Sequence, residues 1–166
     1  MPIPVATLDA LRSFPVQLGQ FYAAIPEAYR NWQPPSWDGI PGESFSALGQ
    51  VCHVRDIEID GYQVRVRRML EEDAPFLESL DGHALAAARS YAQADSREAL
   101  AAFRAARVQT LRMIETAGDS ALRRTGHFEG YGPVTLQGVV HFLCSHDQQH
   151  LACLQWLHGK LLCEAN

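Results

Sequence analysis

The stretch HFLCSHDQQH, residues 141–150, decides how this chain is read. Around it Leu136, Val139, Leu143, His146, His150, Cys153 and Leu157 recur at alternating spacings of three and four, the inward seam of an amphipathic helix. A helix turns about 100° per residue and rises about 1.5 Å, so His146 and His150 point about 40° apart and stand about 6 Å from each other along the axis. Both imidazoles aim at one point in the core. His141, five residues before His146, lies about 140° round the helix and faces away from that point.

A lone histidine on an apolar face is ordinarily a core residue hydrogen-bonded to a carbonyl. Two adjacent ones are harder to bury, because unpaired imidazoles together cost several kcal/mol (about 1–3 each). A shared divalent ion removes that cost, since neutral imidazole is a common ligand for zinc, nickel or iron. Spacing alone leaves both readings open, and a third ligand from elsewhere would favour the metal.

Working outward, Thr135 is the expected cap of this last helix and Gly159 its stop. Before it, Asp119 to Pro133 reads as a connector with a glycine-rich centre, where His127 and Glu129 are expected at the surface. Asp95-Ser-Arg-Glu98 is a capping box that opens a helix with Leu100, Phe103, Leu111 and Ile114 inward, ending at Gly118. Residues 74–95, with Pro75, Gly82 and an alanine-rich patch, read as a crossover carrying one short helix, with His83 in a turn. From Ser44 or Ser46 a long helix is expected to Asp73, with Leu48, Cys52, Ile59, Tyr62, Val66 and Met69 as its stripe. His53 lies one residue off that stripe, and Asp56 and Asp60, at i+3 and i+7, share its face. Residues 31–44 hold three prolines, two glycines and two tryptophans, a loop laid over one end of the bundle. Thr7 is the expected cap of a first helix, which Pro15 kinks or divides and Pro26 ends.

No alternating strand pattern, internal repeat or phosphate-binding glycine loop is evident. The expected fold is all-α: a four-helix bundle with a long crossover between helices 2 and 3, formed as one domain over residues 1–166. A net charge of −5 supplies no basic surplus for nucleic acid or an anionic membrane. Four cysteines without a CxxC pair read as free thiols in a reducing compartment, and no leader or membrane span is apparent, so a cytoplasmic location is expected.

The order of these motifs, Val51-Cys-His53-Val-Arg-Asp56 early in the second long helix and His146-Asp-Gln-Gln-His150-Leu near the C-terminus, resembles the DinB/YfiT-like superfamily of metal-dependent four-helix-bundle proteins. The likeness extends to the Trp and Pro loop before the second helix and to Val134-Thr-Leu136. Two positions depart from it: Phe45-Ser46 stands where Trp-Ser is common, and Cys153 where glutamine is frequent. The resemblance implies a divalent ion, zinc or nickel, held by His53, His146 and His150 with positions left open for water or substrate. It further implies a small-molecule reaction, either hydrolysis or transfer to a low-molecular-weight thiol.

Hydrolysis needs a general base, and Asp56, Glu58 and Asp60 are the carboxylates that helix spacing brings near His53; Asp56 is the first candidate, against a plain ion pair with Arg55. The alternative from another class is a non-catalytic bundle stapled by the metal, or a small-molecule binding module. A homodimer through helix faces is also expected.

Overall fold

The structure, a computed structural model, describes residues 2–164. In chain order the elements are α1 (Val5–Ala24), α2 (Ala47–Asp56), a π-helical segment (Ile57–Tyr62), α3 (Gln63–Glu71), β1 (Phe76–Leu77), α4 (Gly82–Ala88), α5 (Ser96–Thr116), α6 (Asp119–Leu122), β2 (Thr125–Phe128), β3 (Gly132–Thr135) and α7 (Leu136–Glu164). The protein is a four-helix bundle. α1 and the continuous span α2–π–α3 each pack against both α5 and α7. Among the described residues no helix is long and apolar enough to cross a membrane.

The caps explain where the helices begin. Ser46 accepts from the Gly49 amide and opens α2, while Asp95 accepts from the amides of Arg97 and Glu98 and opens α5. α1 begins earlier than its sequence suggests: Pro4, with φ fixed near the helical value, takes the cap position, so Thr7 lies inside the first turn. The helix runs unbroken through Pro15 and ends before Pro26. Leu11, Phe14, Leu18 and Tyr22 form its buried face.

The second helical span departs from a plain α-helix at Ile57–Tyr62. There Ile57 and Glu58 are buried while Ile59 is only half-buried, so the expected stripe is out of phase at that point. A π segment takes one extra residue into a turn, which rotates everything after it by about 100° relative to an unbroken α-helix.

A small sheet, ordered β1-β2-β3, adds strands to the two connectors, where the sequence shows no strand pattern. β1 runs parallel to β2, with Phe76 opposite His127, and β2 runs antiparallel to β3, with Thr125 opposite Thr135. Strands of two to four residues are too short to show an alternating pattern. Gly130 and Gly132 take φ of 82° and 81°, as the tight hairpin requires. The crossover is tied to this hairpin: Ser79 donates from its amide to Glu129 Oε2 and from its hydroxyl to the Glu129 carbonyl.

Two apolar clusters fill the bundle, one around Phe14, Val51, Phe103 and Leu154, the other around Leu11, Met69, Leu136 and Leu143. A polar layer lies where they meet. Its centre is Arg107, 1% exposed, which donates to both oxygens of Glu58 and of Asp147 and to the Leu11 carbonyl while lying against the rings of Phe14 and Phe103.

Candidate metal centre

His53 from α2 and His146 and His150 from α7 converge next to this layer. Their candidate ligand atoms all lie within 4.8 Å of one another, with His146 Nε2 3.3 Å from His53 Nε2 and 3.1 Å from His150 Nε2. Bond lengths of about 2.0–2.1 Å in a tetrahedral zinc site put neighbouring ligand nitrogens about 3.3 Å apart, so this spacing suits a small divalent ion. Burial holds all three imidazoles below the ordinary histidine pKa, and for His146 and His150 the neighbouring imidazoles lower it further. Near neutral pH the rings present lone pairs.

Gln50 settles the tautomer of one ring. Its Nε2 donates to the carbonyls of Glu43 and Phe45, so its Oε1, 2.5 Å from His150 Nδ1, has to accept. His150 Nδ1 therefore carries the proton and Nε2 is left free for an ion. His53 has no such partner: its Nδ1 is buried and unbonded. Gly82, at the start of α4, comes so close that a Cβ there would stand 2.6 Å from His53 Cε1.

The loop before α2 closes the site. Trp37 stacks on Trp156 of α7 at 6.0 Å, and Gly42 lies so near α7 that a Cβ on it would stand 2.9 Å from Gln149 and 3.0 Å from Cys153 Sγ. This contact sets Glu43 over the histidines. Its Oε1 is 3.6 Å from His53 Nε2, its Oε2 is 3.6 Å from His150 Nε2, and Oε2 is buried without a hydrogen-bond partner. Helix spacing carries no signal for Glu43. The only trace in the sequence is that the loop leading into the His53 helix holds just two acidic residues, Asp38 and Glu43.

The carboxylates singled out by spacing go elsewhere. Asp56 is 1% exposed; it accepts from Arg55 Nε and Nη2 and from the Tyr91 hydroxyl and pairs with Arg89 at 2.9 Å. Burial pushes its pKa up, but the bonds from Arg55 and Tyr91 outweigh this and hold it below the usual range. Its side chain turns to the crossover, and both oxygens are occupied. Glu58 belongs to Arg107, and Asp60 pairs with Arg89. Of the other histidines, His141 is exposed, His83 packs on Phe45 at 4.6 Å, and His127 stacks on Phe76 at the surface. Burial pushes the Cys153 thiol up to about 12, so it is no thiolate near neutral pH. The described cysteines are all unpaired.

A cavity of about 120 Å³ runs from the histidines along the π segment and α3 to the hairpin. Glu43, His53 and His146 line one end, and Tyr62, Arg65, Ser79, Phe128 and Tyr131 line the rest. In an unbroken α-helix Arg65, twelve residues beyond His53, would point about 120° away from it; the extra residue of the π segment brings it to within about 20°.

The family model described as the DinB superfamily matches residues 11–154. The chain belongs to the DinB superfamily. Among solved structures this DinB-superfamily protein resembles YfiT from Bacillus subtilis, described as a probable metal-dependent hydrolase with an unusual four-helix bundle topology. The TM-score is 0.81 at 19% identity, with 94% of this chain and 86% of that chain covered. No curated protein matches the sequence.

Proposed function

We propose that this protein is a metal-dependent hydrolase of a small molecule, in which His53, His146 and His150 hold one divalent ion, zinc or nickel, and Glu43 is the general base. The observation that carries this reading is the Glu43 carboxylate, poised 3.6 Å from two of the three nitrogens with a buried oxygen unpaired. A buried carboxylate oxygen without a partner is costly, and a nearby cation and water remove that cost. The fixed tautomer of His150, which leaves its Nε2 unprotonated, fits the same ion. The fold shared with YfiT, itself described as a probable metal-dependent hydrolase, agrees with it.

When bound, such an ion lowers the pKa of water toward neutrality and polarises a substrate carbonyl. The chain's own residues do the remainder. Glu43 Oε2 takes the proton as water attacks and returns it to the leaving group. Gln50 holds Glu43 through its carbonyl and His150 through Nδ1, so base and ligand are fixed relative to one another. Burial raises the Tyr62 pKa, which keeps its hydroxyl protonated beside His146 as a donor to developing negative charge.

The test is elemental mass spectrometry on untagged protein, wild type and the His53→Ala, His146→Ala and His150→Ala variants, with turnover of simple esters and amides followed alongside. About one equivalent of a divalent ion, lost in each variant together with turnover, supports the reading. No metal above trace after loading and removal of excess ion would sink it. The same site suits a soft thiolate, so turnover seen only when a low-molecular-weight thiol is added would move the protein to thiol transfer.

Gln50→Leu should weaken metal binding by about 10- to 100-fold, because it leaves His150 Nδ1–H without an acceptor and releases Glu43. Competition against a chromophoric chelator measures this. Equal affinity in the variant would show that the Gln50 bond does not orient the ligand.

A further inference from the structure

Among the described residues two arginines are buried, Arg65 and Arg107. Arg107 has the carboxylates of Glu58 and Asp147, and the half-buried Arg55 has that of Asp56. Arg65, 5% exposed, has none among the described residues: its Nε and Nη2 donate to the Glu78 carbonyl at 3.2 and 2.8 Å, and Nη1 makes no protein hydrogen bond. Taking a cation out of water without a counter-charge is costly, and burial lowers the pKa of this guanidinium accordingly.

The group is nonetheless held rigidly. Its Cζ lies 4.5 Å from the centre of the Phe128 ring and 5.1 Å from that of Tyr62, so the planar fork is clamped between two aromatic faces. Nη1 lies over Gly61, where a Cβ would stand 2.8 Å from it and 3.5 Å from Ile57, a residue of the cavity wall. Arg65 lines the histidine cavity together with Tyr62 and Phe128, and on its Gly61 side it borders a second, smaller groove of about 40 Å³. Arg65 is therefore a fixed, desolvated, uncompensated cation in the wall of the cavity whose other end is the three-histidine cluster.

We propose that Arg65 is the anion subsite of this cavity and that the substrate is a small organic acid derivative, its carboxylate on Arg65 and its cleaved bond at the histidine end. The proposal rests on the hydrolase reading for the bond cleaved, but not for the anion bound. A carboxylate fits the site better than a phosphate dianion, because one guanidinium supplies one charge and a single free Nη1, with Tyr131 as a neutral donor residue in the same lining. A cavity of about 120 Å³ has the volume of roughly four waters, which is room for a short acyl chain.

Two readouts test it on the full chain as purified. In thermal denaturation, glutarate at about tenfold above its Kd should raise the Tm of wild type by about 3–6 °C, while the neutral diamide should not. Arg65→Met should abolish the shift. In kinetics, the 4-nitrophenyl monoester of glutaric acid should exceed its methyl-blocked analogue in kcat/KM on the order of 10- to 100-fold, and Arg65→Met should erase that preference while still cleaving the neutral ester.

An equal glutarate shift in wild type and Arg65→Met overturns the subsite, whatever the activity. A shift that depends on Arg65, with neither ester cleaved by wild type, keeps the subsite and removes the hydrolase reading. If Arg65→Met does not fold, Gly61→Ala displaces Nη1 with the charge retained. It should weaken glutarate binding, and an unchanged shift in it would equally overturn the proposal.

Discussion

Arg107→Met is expected to destabilise the protein by about 3–5 kcal/mol, because it leaves Glu58 and Asp147 buried without their cation. Against a total stability of about 5–15 kcal/mol this is a large fraction, and for a chain of this size it lowers Tm by roughly 6–20 °C. Methionine restores most of the arginine's apolar volume, so the loss reports charge and not a cavity. The penalty has a pH signature. Burial raises the Asp147 pKa to about 7, above the ordinary carboxyl value. A group whose folded pKa is raised contributes stability that is fully present below its unfolded pKa and is lost as pH rises through the folded one. Removing Arg107 raises the folded value further, so the variant should lose more stability between about pH 5 and 8 than wild type does. Melting curves by circular dichroism at both pH values check this, and a pH-independent penalty below 1 kcal/mol would show that the triad is not held by charge.

Glu43→Gln should retain metal and lose about 10²- to 10⁴-fold in kcat, the range for removing a general base. The amide is nearly isosteric and keeps the loop in place through its backbone carbonyl, which Gln50 holds. It cannot accept a proton at neutral pH. The variant also separates the readings of the site. If Glu43 is instead a fourth ligand that closes the shell, Glu43→Gln sheds the ion, and a metal-stapled bundle is favoured. If metal and turnover both survive, the base is another group. Asp56→Asn is the matched control: with its oxygens bound to Arg55, Arg89 and Tyr91, it should perturb stability and leave the proton transfer alone.

The sequence by itself determined the bundle and the convergence of two histidines on one face of its last helix. Both are local properties: a 3.6-residue period, caps at Ser46 and Asp95, and a four-residue spacing fix them without reference to the rest of the chain. The third histidine was legible only through the resemblance, since position on a stripe places a side chain toward a neighbour without saying which one.

Tertiary structure decided what surrounds the histidines. Glu43 lies on a loop without a period, and it reaches the site because Trp37 and Gly42 dock that loop on α7. Asp56 had the right spacing from His53 but the wrong neighbours, because Arg55, Arg89 and Tyr91 meet it first. The strands were too short and glycine-rich to show a period of two, and their pairing is long-range. Phase along the second helix was set by the π segment, an extra residue in one turn that no spacing rule foresees. That one residue turns Arg65 toward the cavity. Periodicity counts residues along one chain, whereas a site is made by whichever side chains packing brings within a few ångströms.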